Sequence, residues 1–139
     1  MPKKKGQQFN LELDETETLA LMDYGKMLEI LDNLLSNAVK YAPPGAGIEA
    51  RTCFYEEDGV LEFSLYNPGV GLSEEDKSRI FQKFSKLSAR PTGGESSTGL
   101  GLSIVRTLTE MHGGSIRAES EGIDKGVCFI LQLPVSRVA

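Results

Sequence analysis

The spacing of hydrophobic residues along this chain switches repeatedly between a period of two and a period near 3.6, and each switch marks an element. Residues 8–13, QFNLEL, alternate as an edge strand would, and the DETETLALMD that follows reads as an acidic, loop-like approach. From about Tyr24 to Ala42 the period is helical. At about 100° per residue Met27, Leu31, Leu34, Leu35, Ala38 and Ala42 share one arc, and Pro43-Pro44-Gly45 ends the helix. IEARTCFYEE and VLEFSLYN predict two strands joined at Asp58-Gly59, a hairpin turn signal. Ser73 is placed to cap a short helix through Ile80, with Asp76 at the capping-box position. Residues 85–98, SKLSARPTGGESST, have no apolar period and are longer than a usual connection, which reads as a lid, as disorder, or as both. A second clear helix is predicted from Gly99 to His112, with Leu102, Val105, Leu108 and Met111 on one face and Gly113-Gly114 as its stop. SIRAES and VCFILQLP, joined at Asp124-Lys125-Gly126, close the chain as another hairpin.

This order separates helices from hairpins and predicts an α+β fold. The expected architecture is a two-layer sandwich: a mixed, mostly antiparallel sheet of about five strands, covered on one face by about three helices. Its 139 residues suit one domain, expected over 8–139, with 1–7 a frayed tail or the cut edge of a longer chain. Fifteen basic against twenty acidic residues leave a charge of −5, which argues against a nucleic-acid or anionic-membrane surface. Any phosphate must therefore be held locally. No apolar run approaches the roughly 20 residues a bilayer crossing needs, and no signal-peptide pattern opens the chain. Cys53 and Cys128 lie far apart in strand-like stretches without metal-site spacing, which predicts reduced core thiols in a cytoplasmic protein.

Asn33 and Asn37 stand one turn apart in the first helix, each disfavouring it by roughly 0.5–0.7 kcal/mol relative to alanine. They group with Lys40 away from the apolar arc, with Tyr41 at its margin. A solvated face is the bland explanation, yet such faces favour better helix formers; an amide oxygen is also a hard neutral ligand suited to Mg²⁺. Asn67-Pro68-Gly69-Val70-Gly71 ends a strand with glycines that let backbone approach a ligand, although such a turn is often only structural. Thr98-Gly99-Leu100-Gly101-Leu102 opens the second helix, where bare N–H groups and the helix dipole suit a phosphate, or where close helix packing needs small residues. It is neither a Walker A loop nor a G-x-G-x-x-G fingerprint, since position 104 is isoleucine.

Taken in order, NLLSNAVKYAPPG, NPGVGL, IFQKFSKL and STGLGLSIV with MHGGSI resemble the N, G1, F and G2 boxes of the catalytic ATP-binding domain of sensor histidine kinases. That domain is a Bergerat-fold ATPase, a group that includes gyrase B, the ninety-kilodalton heat-shock chaperone and the mismatch-repair ATPases. The resemblance covers residues 8 to 134. It implies Asn37 as the Mg²⁺ ligand, Asn33 as a helper facing the phosphates, Lys40 reaching them, and Tyr41 lying against adenine. It places Asn67 where the family usually has an aspartate accepting from the adenine amino group, with Gly69, Gly71 and Leu72 shaping that pocket. Phe81 and Phe84 match the F box, and Lys86 falls where a lid cation meets the γ-phosphate. Thr98, Gly99, Leu100, Gly101 and Leu102 form the phosphate-cradling turn. Asn33 stands where hydrolysing branches have a glutamate, and an amide cannot take a proton near neutral pH, so transfer is favoured over hydrolysis.

The implied function is Mg-ATP-dependent phosphoryl donation to a histidine on a separate dimerisation domain, with a response regulator downstream. Asn33 and Lys86 would be the residues nearest the chemistry. His112 matches the unreactive HGG that ends the G2 helix, so the acceptor lies outside this chain. No nucleic acid and no direct membrane contact are expected, though a parent protein can be membrane-anchored. Asn67 in place of a carboxylate predicts ATP binding weaker by roughly 1 kcal/mol, and an amide can flip to donate to guanine O6 as readily as it accepts from adenine N6. Ser97 replaces a glycine common before the G2 threonine. Two alternatives stand beside this reading: an anti-sigma type protein serine kinase on the same fold, and a degenerate adaptor that binds nucleotide weakly.

Overall fold

The computed structural model describes residues 8–69, 71–82, 101–122 and 125–137. Strands β1 (Gln8–Glu12), β3 (Gly47–Tyr55), β4 (Val60–Asn67), β5 (Ser115–Glu119) and β6 (Val127–Pro134) form one sheet in the order β1-β3-β4-β6-β5. Helix α1 (Tyr24–Tyr41) lies between β1 and β3 in the chain, and such a crossover returns the strand parallel: Phe9 pairs with Ile48 and Leu11 with Ala50. Short turns join β3 to β4 and β5 to β6, and these pairs and β4 with β6 are antiparallel. The expected mixed, mostly antiparallel five-stranded sheet is therefore present.

Strand alternation puts Ile48, Ala50, Leu65, Val127, Phe129, Leu131 and Leu133 on one buried face. Helix α1 covers it with Met27, Ile30, Leu34, Ala38 and the following Ala42, and helix α3 (Gly101–Met111) with Leu102, Val105 and Leu108. Helix α2 (Glu74–Arg79) is capped as its sequence predicts: Ser73 Oγ accepts from Asp76 N at 3.1 Å. Beyond α2, Ile80 enters the core and Phe81 meets Phe129 edge to face, with centroids 6.4 Å apart.

The arcs read from the sequence need turning. On α1, Ile30 and Tyr41 are buried while Leu31 and Leu35 are only half-buried, so the packed arc is rotated toward the asparagine flank. Met111 is 63% exposed. Nine residues beyond Leu102 an α-helix has made two and a half turns, and Met111 points away while Thr109 takes the buried place.

The thiols are also corrected. Cys53 and Cys128 are free and half-buried, on the sheet face opposite the core, where Cys53 pairs with Glu62 and Cys128 with Tyr66. VCFILQLP is apolar at positions of both parities, so its alternation is hidden in the sequence. Burial first, then the Glu119 and Glu62 carboxylates, pushes the Cys128 thiol above its ordinary value and keeps it protonated.

The loop expected at DETETLALMD contains β2 (Thr18–Leu19), which pairs antiparallel with β7 (Ser136–Arg137) in a second, two-stranded sheet. Asp14 stitches the same segment to β3 beyond the reach of β1. Its carboxylate accepts from Phe54 N and Thr16 N, both at 2.8 Å, and its own N–H donates to Thr52 Oγ1 at 2.8 Å. Both contacts are non-local, which is why no local pattern announced them.

Candidate functional site

Helix α1 is fixed at its start. Asp23 caps it by accepting from Lys26 N at 3.0 Å, and the Asp23 N–H donates to His112 Nε2 at 3.0 Å. With Nε2 accepting there, Nδ1 is the ring donor, and it donates to Leu108 O at 2.8 Å. His112 thus ties the end of α3 to the first turn of α1, a structural task in keeping with its place in HGG.

From that anchor the asparagine flank runs along α1. Asn33 Nδ2 donates to Glu29 O at 2.8 Å, which holds the amide plane and leaves Oδ1 facing α3. A β-carbon on Gly101 would lie 2.9 Å from Asn33 Oδ1, so any larger residue there would have to displace that amide. Asn37 is half-buried one turn further along, and Lys40 lies in the last turn. Tyr41 is buried at the end of the helix.

There the strand-end turn meets the helix. Gly69 has φ +103°, a conformation L side chains rarely adopt, and an added β-carbon would sit 2.5 Å from Pro43 Cδ. Gly71 is equally confined, since a β-carbon would overlap Gly122 O. Leu72 is buried beside it. Two segments distant in sequence thus meet α1 and its end: Gly101 against Asn33, and Gly69 against Pro43 just past the helix, with Asn37 between. Eight residues of helix separate Asn33 from Tyr41, roughly 12 Å, which suits an elongated ligand laid alongside.

Asn67 ends β4 on the core side and is fully buried, yet neither Oδ1 nor Nδ2 has a hydrogen-bond partner. Its cross-strand neighbour, Val127, offers none. An unpaired buried amide costs roughly 1–3 kcal/mol. Such a group fits a site whose ligand supplies the missing donor and acceptor. Among the described residues no cluster of three His, Cys, Asp or Glu side chains could hold a metal. The fit to Mg²⁺ rests instead on the amide oxygens of the α1 flank, with phosphate and water completing the shell.

Sequence reasoning missed Ser120. Its hydroxyl accepts from Leu72 N at 3.0 Å and from Gly122 N at 3.3 Å, and donates to Gly126 O at 2.7 Å. Gly126 N in turn donates to Gly69 O at 3.0 Å, and Lys77 Nζ donates to Ser120 O at 3.3 Å. Ser120 is the knot between the Gly69–Leu72 turn and the β5–β6 connection. A lone serine one residue past a strand carries no recognisable signal. Of the predicted site residues, Phe84, Lys86, Thr98, Gly99 and Leu100, together with the 85–98 lid, lie outside the described residues.

The model of the family described as "Histidine kinase-, DNA gyrase B-, and HSP90-like ATPase" matches residues 22–137. The chain is 33% identical over 135 residues to the sensor histidine kinase WalK of Bacillus subtilis, covering 96% of this chain and 22% of WalK. Its fold superimposes on full-length ShkA in complex with AMPPNP with a TM-score of 0.79, at 28% identity, over 98% of this chain and 27% of that one. It also superimposes on the catalytic domain of the histidine kinase ThkA with a TM-score of 0.78, at 28% identity, over 95% of this chain and 81% of that one.

Proposed function

The chain belongs to the histidine kinase-, DNA gyrase B- and HSP90-like ATPase family, and from that premise we propose that it is the Mg-ATP-binding catalytic domain of a sensor histidine kinase. The observation that carries this reading is the convergence of the Asn33–Asn37 flank, the Gly69–Leu72 turn with its unpartnered Asn67, and the start of α3 on one another. The chain spans about a fifth of WalK and a quarter of ShkA, so the rest of the kinase reaction depends on parts outside it. AMPPNP in ShkA supports an adenine nucleotide as the ligand. Relatives named as sensor histidine kinases support this branch over a serine kinase.

The residues divide the work by position. Asn37 offers an amide oxygen to Mg²⁺, which screens the triphosphate charge. Asn33, held by Glu29 O, keeps its own oxygen toward the start of α3, where bare N–H groups and the helix dipole favour phosphate. Lys40 adds a cation at the same end of the helix as the Gly69 turn. The motif resemblance assigns Lys86, which lies outside the described residues, a cationic role toward the γ-phosphate. Tyr41, Leu72 and Asn67 form the base end of the site, and Leu72 is buried apolar surface for a purine ring. No side chain at position 33 can take a proton from water near neutral pH, so the site positions the nucleotide for attack by a histidine on a separate dimerisation domain. Phosphoryl passage onward to a response regulator follows in the parent protein.

Titration of the chain with Mg-ATP, beside an Asn37→Ala variant, tests the reading. Saturable binding that falls at least tenfold in the variant, or on removal of Mg²⁺ by chelation, is the expected result. A flat titration of the folded wild-type chain overturns it and leaves a docking adaptor.

A further inference from the structure

Asn67 combines three features. It is fully buried, both atoms of its carboxamide lack a partner, and the residue opposite it on β6, Val127, is apolar. A carboxylate at this place would only accept, whereas a carboxamide presents one donor and one acceptor side by side. Which of the two points where is decided elsewhere in proteins by neighbouring hydrogen bonds. Here none of the described residues decides it. The backbone around it is closely packed: β-carbons on Gly69, Gly71 and Gly126 would meet Pro43, Gly122 and Tyr66 Oη. A ligand that reaches the amide therefore sets its orientation.

Resting on the nucleotide-binding reading above, we propose that Asn67 makes this site accept 6-oxopurine as well as 6-aminopurine nucleoside triphosphates. In one orientation Oδ1 accepts from the adenine 6-amino group while Nδ2 donates toward N1. Turned by 180°, Nδ2 donates to the 6-oxo group of guanine or hypoxanthine while Oδ1 accepts from N1–H. Both pairings satisfy the buried amide, so neither base leaves a group unpaired. An aspartate, which only accepts, keeps the bond from the adenine 6-amino group but has no donor for a 6-oxo group, so at the 6-position it favours adenine.

The test is a set of calorimetric titrations of the intact chain with Mg-ATP, Mg-ITP and Mg-GTP, repeated on Asn67→Asp. Inosine triphosphate carries the 6-oxopurine edge without the guanine 2-amino group, so it reads the amide alone. The expected result is ITP and ATP affinities within about tenfold of each other in the wild-type chain, widening to about a hundredfold or more in favour of ATP in the variant. The wild-type comparison stands even where Asn67→Asp fails to fold. ATP bound with ITP refused by a hundredfold in the wild-type chain overturns the proposal and leaves the nucleotide-binding reading intact. No binding of any of the three overturns both.

Discussion

Individual side chains at the site divide into those satisfied by the fold and those left for a ligand. Asn33 belongs to the first kind through Glu29 O, and Asn67 to the second. Thr109 is a further contrast: it is fully buried in α3, and its Oγ1 has no partner, yet it faces the core. Replacing it by valine keeps the shape and removes an unpaired hydroxyl, so Thr109→Val is expected to raise stability by about 1 kcal/mol in urea denaturation with nucleotide affinity unchanged. Ser120→Ala should do the opposite. Loss of the hydroxyl that holds Leu72 N, Gly122 N and Gly126 O is expected to cost about 1–3 kcal/mol and to weaken Mg-ATP binding several-fold, because the Gly69–Leu72 turn loses its tether. Of these residues Asn33 and Asn67 were legible in the sequence, and Thr109 and Ser120 were not. The satisfaction of a hydroxyl depends on which backbone groups the fold brings near it, and spacing along the chain does not encode that.

Elements are placed by contacts between them, and one of those contacts bears on the geometry of the site. Gly101 lets α3 begin against Asn33; the β-carbon of Gly101→Ala would press on Asn33 Oδ1 and turn that amide from Glu29 O, so Mg-ATP affinity by calorimetry is expected to fall about tenfold while stability changes by about 1 kcal/mol or less. At the far side of the sheet Asp14 continues the pairing of β3 where β1 stops. Hydrogen bonds from Phe54 N, then Thr16 N, hold its carboxyl below the ordinary range. A carboxyl lowered in the folded state stabilises the fold above its unfolded value, near 4, and this contribution is lost as pH falls through the folded-state value. The melting-temperature gap between wild type and Asp14→Asn is therefore expected to be widest near neutral pH and to close below pH 4. Element types and most boundaries were readable from periodicity, caps and turns. The β2–β7 pair and the rotation of the α1 arc were not, since each is set by a partner distant in the chain; the outward Met111 follows from the helical period itself.

At the scale of the whole molecule, the described helices pack on one sheet face, and Cys53 and Cys128 lie half-buried on the other. Among the described residues no helix is long and apolar enough to cross a membrane. The one histidine of the chain is occupied by Leu108 O and Asp23 N. Incubation with γ-labelled Mg-ATP is accordingly expected to leave this chain unlabelled at histidine, with acid-labile label appearing only when a phosphoacceptor domain is supplied. Label on His112 in a chain carrying Asn37 but not in Asn37→Ala would contradict the structural role given to it.

By itself the sequence determined the α+β class, the order of helices and strands, the capped and glycine-stopped helix ends, and the three segments that carry amides and glycines. Those properties are local: they follow from side-chain period, capping chemistry and backbone freedom within a few residues. Only the tertiary structure decided that Gly101 lies on Asn33 and Gly69 on Pro43, that Ser120 knots the turn, that the cysteines face outward and that Asn67 is buried without a partner. Each of these is a relation between residues far apart in the chain. Burial and hydrogen-bond satisfaction acquire values only once strands choose register and helices choose the side on which they pack.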